Sequence, residues 1–272
     1  MTATIIDGPL IASLYISAGF CALAAMSSAC LGFLRLRIPG LWWLVSLSSL
    51  GCIFQILVAQ YHTAASMEQA VFVQKWQNTL TVILLFSFAG YMAEFTGFRH
   101  SKPLLWLIGA FSLVFIVLNY QMPYGGRFST VRASELITFP WGEQLQILRG
   151  ELSSVSAVVR VVYLCVLLWG FWWSIQQLRQ RNWATGILLG TAIAILLASA
   201  VVSAQIERGQ LNFIYIGGFG ITVFAVIAVV LVFQVVQDAN DRLQQTNIAL
   251  HEALESQQKT QQIVEHLAFN DT

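Results

Sequence analysis

Arg160 stands inside an apolar stretch, residues 152–177, about eight residues from its start. If that stretch is a helix crossing lipid, a rise of about 1.5 Å per residue puts the guanidinium roughly 12 Å deep. A charge at such depth is expensive and calls for a partner or a function. Three readings stay open: it holds an anionic ligand head, it snorkels to the headgroups, or it pairs with another helix. The side chains that could share a pocket with it are Gln55 and Gln60 in 41–60, Gln77 and Asn78 in 76–97, and Gln205 in 183–205. Tyr61 and His62 follow directly, and Trp141 or Trp76 could stack on a bound molecule. These groups hydrogen-bond but form no nucleophile–base pair. The chemistry they suggest is recognition of a small amphiphilic ligand, with a carboxylate or another acceptor.

Covalent and cofactor chemistry find little support. His62 and His100 fall at opposite ends of apolar stretches, and His251 and His266 lie in a polar tail. No histidine pair sits inside a span to hold haem or to serve a serine nucleophile. No His/Asp/Glu cluster has zinc spacing. Lys75, Lys102 and Lys259 all lie outside the spans, so a retinal Schiff base has no attachment point. Cys21, Cys30, Cys52 and Cys165 sit in apolar stretches and read as packing residues. The chain is expected to be no enzyme and to need no cofactor.

The elements that must position these residues follow from composition. Of 272 residues, 57% are hydrophobic and 10% charged, with a mean hydropathy of +0.70. Soluble domains carry about 25% charged residues. So few charges cannot cover a water-facing surface, and lipid is the implied solvent. A formal charge of +1 without basic runs gives no sign of a nucleic-acid partner. Seven stretches are long enough to span a bilayer: 10–34, 41–60, 76–97, 103–120, 152–177, 183–205 and 212–236. The N-terminus has no Lys or Arg, so the first stretch reads as a retained helix and not a signal peptide.

Basic residues in short loops orient the bundle. Arg35 and Arg37, then Arg99, His100 and Lys102, then Arg179 and Arg181 lie in the odd-numbered connections. Those connections are expected in the cytoplasm, with the N-terminus outside and the C-terminus inside a bacterial inner membrane. The fourth connection alternates at Val131, Ala133, Glu135, Ile137 and Phe139, turns at Pro140–Glu143, and resumes a β-prone run at Gln144–Arg149. That pattern predicts a periplasmic β-hairpin over the outer mouth of the bundle. Gly186, Gly190, Ala194 and Ala198 predict a small-residue packing strip, and Gly217, Gly218 and Gly220 a second site. Glu94 is expected to form a local ion pair near Arg99 and His100.

After Val236 the chain turns polar, without Gly or Pro. Leu243, Asn247, Leu250, Leu254, Gln257, Gln261 and Val264 repeat in steps of four and three, a heptad seam. Asn247 on that seam would fix register and favour a homodimer. The expected organisation is a sensor domain over 1–236, a cytoplasmic coil over 237–266, and the start of an output domain over 267–272.

The residues Leu267, Ala268, Asp271 and Thr272 close the chain. They resemble the opening of GGDEF domains, the diguanylate cyclase fold. The preceding part is similar to the seven-helix membrane sensor regions found ahead of GGDEF, GGDEF–EAL or histidine kinase outputs, a likeness resting on topology and on the Phe-Pro-Trp-Gly-Glu turn at 139–143. The resemblance implies a truncated signalling protein that controls cyclic-di-GMP in response to a periplasmic or membrane-borne cue. A transporter is the rival reading, because it too needs several spans and buried polar groups. No internal repeat supports it, and it has little use for a heptad tail.

Overall fold

The computed structural model describes residues 8–33, 38–211 and 213–270, with the side chains of 133, 134 and 261–270 excepted. Arg35, Arg37, Asp271 and Thr272 lie outside the described residues, as do the side chains of Gln261, Val264, Leu267 and Ala268. The elements run α1 (Pro9–Phe33), α2 (Leu41–His62), α3 (Met67–Phe95), α4 (Ser101–Gln121), β1 (Phe128–Thr138), β2 (Gln144–Leu152), α5 (Ser154–Arg179), α6 (Trp183–Glu207) and α7 (Gly217–Asn270). Among the described residues, seven helices are long and apolar enough to cross a membrane. The chain is therefore a multi-pass membrane protein.

Local chemistry sets the helix ends. Pro9 opens α1, where its missing N–H goes unneeded. The Ser66 hydroxyl caps α3 by accepting the Gln69 N–H at 3.2 Å. The Ser153 hydroxyl caps α5 by accepting the Ser156 N–H at 3.0 Å. The third helix starts at Met67, well before the expected 76. Its added turns bury Ala70 and Val73 in the same apolar cluster as the strands, so packing on protein extends it past the lipid-length stretch. The seventh begins at Gly217 and not at 212, because Phe213–Ile216 run without helix and Tyr215 turns its N–H to His62.

The fourth connection forms an antiparallel hairpin of β1 and β2. Its two strands pair antiparallel, with Ile137 opposite Leu145 and Thr138 opposite Gln144. The turn closes with Phe139 N–H on the Glu143 carbonyl and Gly142 N–H on the Phe139 carbonyl, both 2.9 Å. Gly142 sits at φ 89°, in the left-handed region that favours glycine. Leu145, Gln146, Ile147 and Leu148 are all buried, so β2 is covered on both faces. Its apolar side chains join Ile11 and Leu14 of α1, Val58 and Tyr61 of α2, Ile206 of α6, and Tyr215 in one core. The alternation expected in β1 is weaker: Glu135 and Leu136 are both exposed.

Glu143 ties the hairpin to α1. Its carboxylate accepts the N–H groups of Leu10 and Ile11 at 3.1 Å each, and Trp141 Nε1 at 2.8 Å. A carboxylate there satisfies orphan donors and complements the helix dipole. Glu94 does the same job at α2, accepting the Gly40 N–H at 3.0 Å and Trp43 Nε1 at 2.8 Å. This replaces the expected pairing with Arg99 or His100, because backbone donors at a helix start lie within its reach.

Small residues set the helix approaches. A Cβ on Gly186 would meet Leu178 at 2.7 Å, and one on Gly190 would meet Ser174 at 3.1 Å, so both face α5. Ala194 and Ala198 are exposed instead. Steps of four overshoot the 3.6-residue turn, so the strip winds off the α5 contact. On α7, a Cβ on Gly218 would fall 2.3 Å from Gln55, and one on Gly220 would fall 2.2 Å from Ser199.

The chain divides into two compact units, Met1–Val229 and Val230–Thr272. The second is helical through Asn270, and Leu243, Leu250 and Leu254, which the sequence placed on a heptad seam, are exposed on it, at 64%, 58% and 47%. Asn247 is exposed beside them.

Candidate functional site

The sequence places Arg160 in α5, and the structure gives it a partner that it shares with Arg127: both reach Glu207 at the end of α6. Arg127 Nη2 lies 2.6 Å from Glu207 Oε1, and Arg160 Nη2 lies 2.7 Å from Glu207 Oε2. Arg127 is aligned as a hydrogen bond; Arg160 meets its oxygen as a charge contact, outside hydrogen-bond alignment. Arg160 also donates to the Ser156 hydroxyl at 2.9 Å, one turn back on its own helix. Of the three readings of Arg160, pairing with another helix is the one the structure displays.

The side chains of Arg127 and Glu207 are 10% and 15% exposed, and that of Arg160 is 31% exposed. Arg127 sits with its guanidinium 4.3 Å from the Tyr215 ring centroid. Burial works against the Arg127 charge, but Glu207 and then Tyr215 and Tyr61 outweigh it and raise its pKa. Burial pushes the Tyr215 phenol well above its ordinary range despite Arg127, so Tyr215 presents a neutral hydroxyl.

Below this charge cluster lies a cavity of about 410 Å³ in the unit Met1–Val229. That volume falls within the usual range of small-molecule sites. Its polar end is formed by Arg127, Arg160, Glu207, Tyr215, Ser203 and Ser156, with Gln77 and Asn78 at the side. Apart from Thr81, whose hydroxyl donates to the Gln77 carbonyl at 2.8 Å, its remainder is apolar, with Leu84, Leu85, Phe88, Leu167, Leu196 and Phe224 along the walls. Leu196 and Glu207 both line it, and their separation along α6 corresponds to about 16 Å of depth. The helices α5 and α6 touch closely at Gly170, Gly186 and Gly190.

Three residues singled out from sequence come together here: Arg160, Gln77 and Asn78. Gln77 Nε2 donates to the Leu57 carbonyl at 2.9 Å, and Asn78 Nδ2 to Asn119 Oδ1 at 3.0 Å, so both amides are partly committed to holding helices. Four of the others stand elsewhere. Gln55 is fully buried between α1, α2 and α7; its Nε2 donates to the hydroxyls of Ser17 at 2.7 Å and Thr222 at 3.2 Å. A buried amide in lipid needs such partners, and the neighbouring helices supply them. Gln60 is exposed on the far side of α2. Trp141 is 51% exposed, stacks on Phe139 at 5.0 Å and serves Glu143. His62 is the last residue of α2 and is 1% exposed. Its Nδ1 faces the Gln146 carbonyl at 3.1 Å and its Nε2 accepts the Tyr215 N–H at 3.4 Å. Those partners assign the proton to Nδ1 and make His62 a brace between β2 and the segment ahead of α7.

Replacing Gln55 with leucine is expected to lower unfolding free energy by about 1 kcal/mol, the scale of one interhelical hydrogen bond in lipid. Thermal unfolding in detergent measures it. Binding in the cavity should be unchanged, since Gln55 faces another seam.

Arg127, Glu207 and Tyr215 were not among the sequence candidates. Arg127 and Glu207 fall in the connections between apolar stretches, where charge is ordinary. The available signal was the carboxylate Glu207 just past the sixth stretch, on the helix that follows the one carrying Arg160.

No protein-family model matches the chain. A search of curated proteins finds no significant relative.

Proposed function

We propose that the chain is the sensory module of a membrane signalling protein: a small amphiphilic ligand enters the cavity, and the seventh helix carries the change to a paired coil. The observation that carries this reading is position. The polar end of the cavity includes Tyr215 and Gly217, at the start of α7, and α7 is helical from Gly217 to Asn270. Tyr215 is also held by His62 through its N–H and by Arg127 across its ring, so a shift of the charge cluster acts directly on the start of that helix.

The exposed Leu243, Leu250 and Leu254 want a partner, and their spacing suits a second copy of the same helix. Loop charge favours the N-terminus and hairpin outside and the coil inside a bacterial cytoplasmic membrane. The likeness of 267–272 to a GGDEF opening supports a cyclic-di-GMP output; a histidine kinase would use the same coil. A cavity in a helical bundle also suits a transporter, but the reading as a sensor uses the heptad seam and the transporter does not.

Pairing is tested by disulfide crosslinking in membranes, with the four native cysteines replaced. Leu250→Cys, on the seam, should give covalent dimers, and Glu252→Cys, off it, should give few. Equal crosslinking at both positions would remove the coil from the account.

A further inference from the structure

We infer that the cavity takes a single-chain amphiphile carrying one negative charge, of the fatty-acid carboxylate type, admitted from the lipid. This rests on the reading of the cavity as the ligand site and names the ligand class.

Charge gives the first argument. Among the described lining residues, the ionised side chains are Arg127, Arg160 and Glu207. Two cations and one anion leave the polar end one negative charge short. In a poorly solvated site that imbalance favours a monoanion over a neutral or dianionic guest.

Unmade hydrogen bonds give the second. Arg127 Nε and Ser203 Oγ are buried donors without a hydrogen-bond partner. The Tyr215 hydroxyl, beside Tyr61, makes no aligned hydrogen bond either. Buried polar groups left unsatisfied are uncommon and point to a missing acceptor. A carboxylate offers two oxygens and needs no donor of its own. Arg160 is the arginine free to turn to it: more exposed than Arg127 and held to Glu207 without hydrogen-bond alignment.

Shape and access give the third. Beyond the charge cluster the walls are apolar down to Leu196 and Phe224, so a second polar group at the far end would find no partner. A sugar, an amino acid or a dicarboxylate fits poorly, whereas an alkyl chain is welcome. Leu164 and Val201 line the cavity while being 48% and 59% exposed. The cavity thus opens through the lipid-facing side of α5 and α6, the direction from which a membrane-dissolved chain arrives.

The test uses the full chain in phosphatidylcholine nanodiscs and measures saturable binding of dodecanoate, dodecanol and acetate. Dodecanoate should bind at least about tenfold more tightly than dodecanol, and acetate should not compete. Arg160→Gln should erase the preference for dodecanoate, Arg160→Lys should keep most of it, and Ala200→Phe, which fills the apolar wall, should weaken both chains. Equal binding of dodecanoate and dodecanol by the native chain would overturn the monoanion inference while leaving an apolar ligand sensor intact. Failure of both chains to bind would overturn the inference too. Coil crosslinking that ignores a bound chain would instead sink the sensory reading and leave the ligand class standing.

Discussion

Replacing Glu207 with alanine is expected to lower unfolding free energy by about 3–5 kcal/mol, the range for stripping the partner from a buried charge. Among the described residues, Glu207 is the anion that touches both Arg127 and Arg160, at 2.6 and 2.7 Å. Without it Arg127, 10% exposed, keeps its charge and loses its neutraliser. Removing the charges together should recover much of the loss: Glu207→Leu with Arg127→Met replaces an ion pair by apolar volume, which is often close to neutral. Arg160→Gln should be milder, because its partner retains Arg127 and its own side chain is 31% exposed. Tryptophan fluorescence during thermal unfolding in detergent ranks the variants. A Glu207→Ala loss no larger than that of Arg160→Gln would mean that the cluster is solvated and not buried.

Gly150→Ala is expected to be the next most damaging change, near the upper end of the roughly 1–3 kcal/mol seen for overpacking. A Cβ there would sit 2.0 Å from the Thr130 carbonyl oxygen and 3.1 Å from Val131 Cα. Both are backbone atoms and cannot rotate aside. The ladder is irregular at this point, with register shifts at Phe128/Thr130 and Val131/Ala133, and glycine is what lets the strands close. Hydrogen exchange should show lost protection across Phe128–Leu152, while helical circular dichroism stays near the native signal. Protection unchanged in the strands would contradict this packing. The consequence reaches beyond the ribbon, because Arg149 beside Gly150 donates to the Ile206 carbonyl at 2.5 Å, next to Glu207.

The spans were legible because lipid imposes one requirement on every residue of a crossing helix, and hydropathy reads it without knowing any contact. Alternation at 131–139 read the hairpin for a similar reason: one strand period, one turn. The site was legible only in part. Arg160 stood out because a lone charge in an apolar run is conspicuous, and Gln77 and Asn78 followed it to the cavity. Gln55 misled because a buried amide looks the same in sequence whether it awaits a ligand or bonds Ser17 and Thr222 on other helices. Arg127 and Glu207 hid because they sit at the ends of elements, where charge is ordinary; only the fold brings them together. His62 was placed near a mouth by its span position, yet it closes helix α2 and β2 covers it.

The most direct measurement is crosslinking of Leu250→Cys in nanodiscs with and without saturating dodecanoate. A change in rate that Arg160→Gln abolishes is the predicted result, since the cue must pass from the charge cluster through Tyr215 into α7. An identical rate with the cavity filled and empty would contradict the relay.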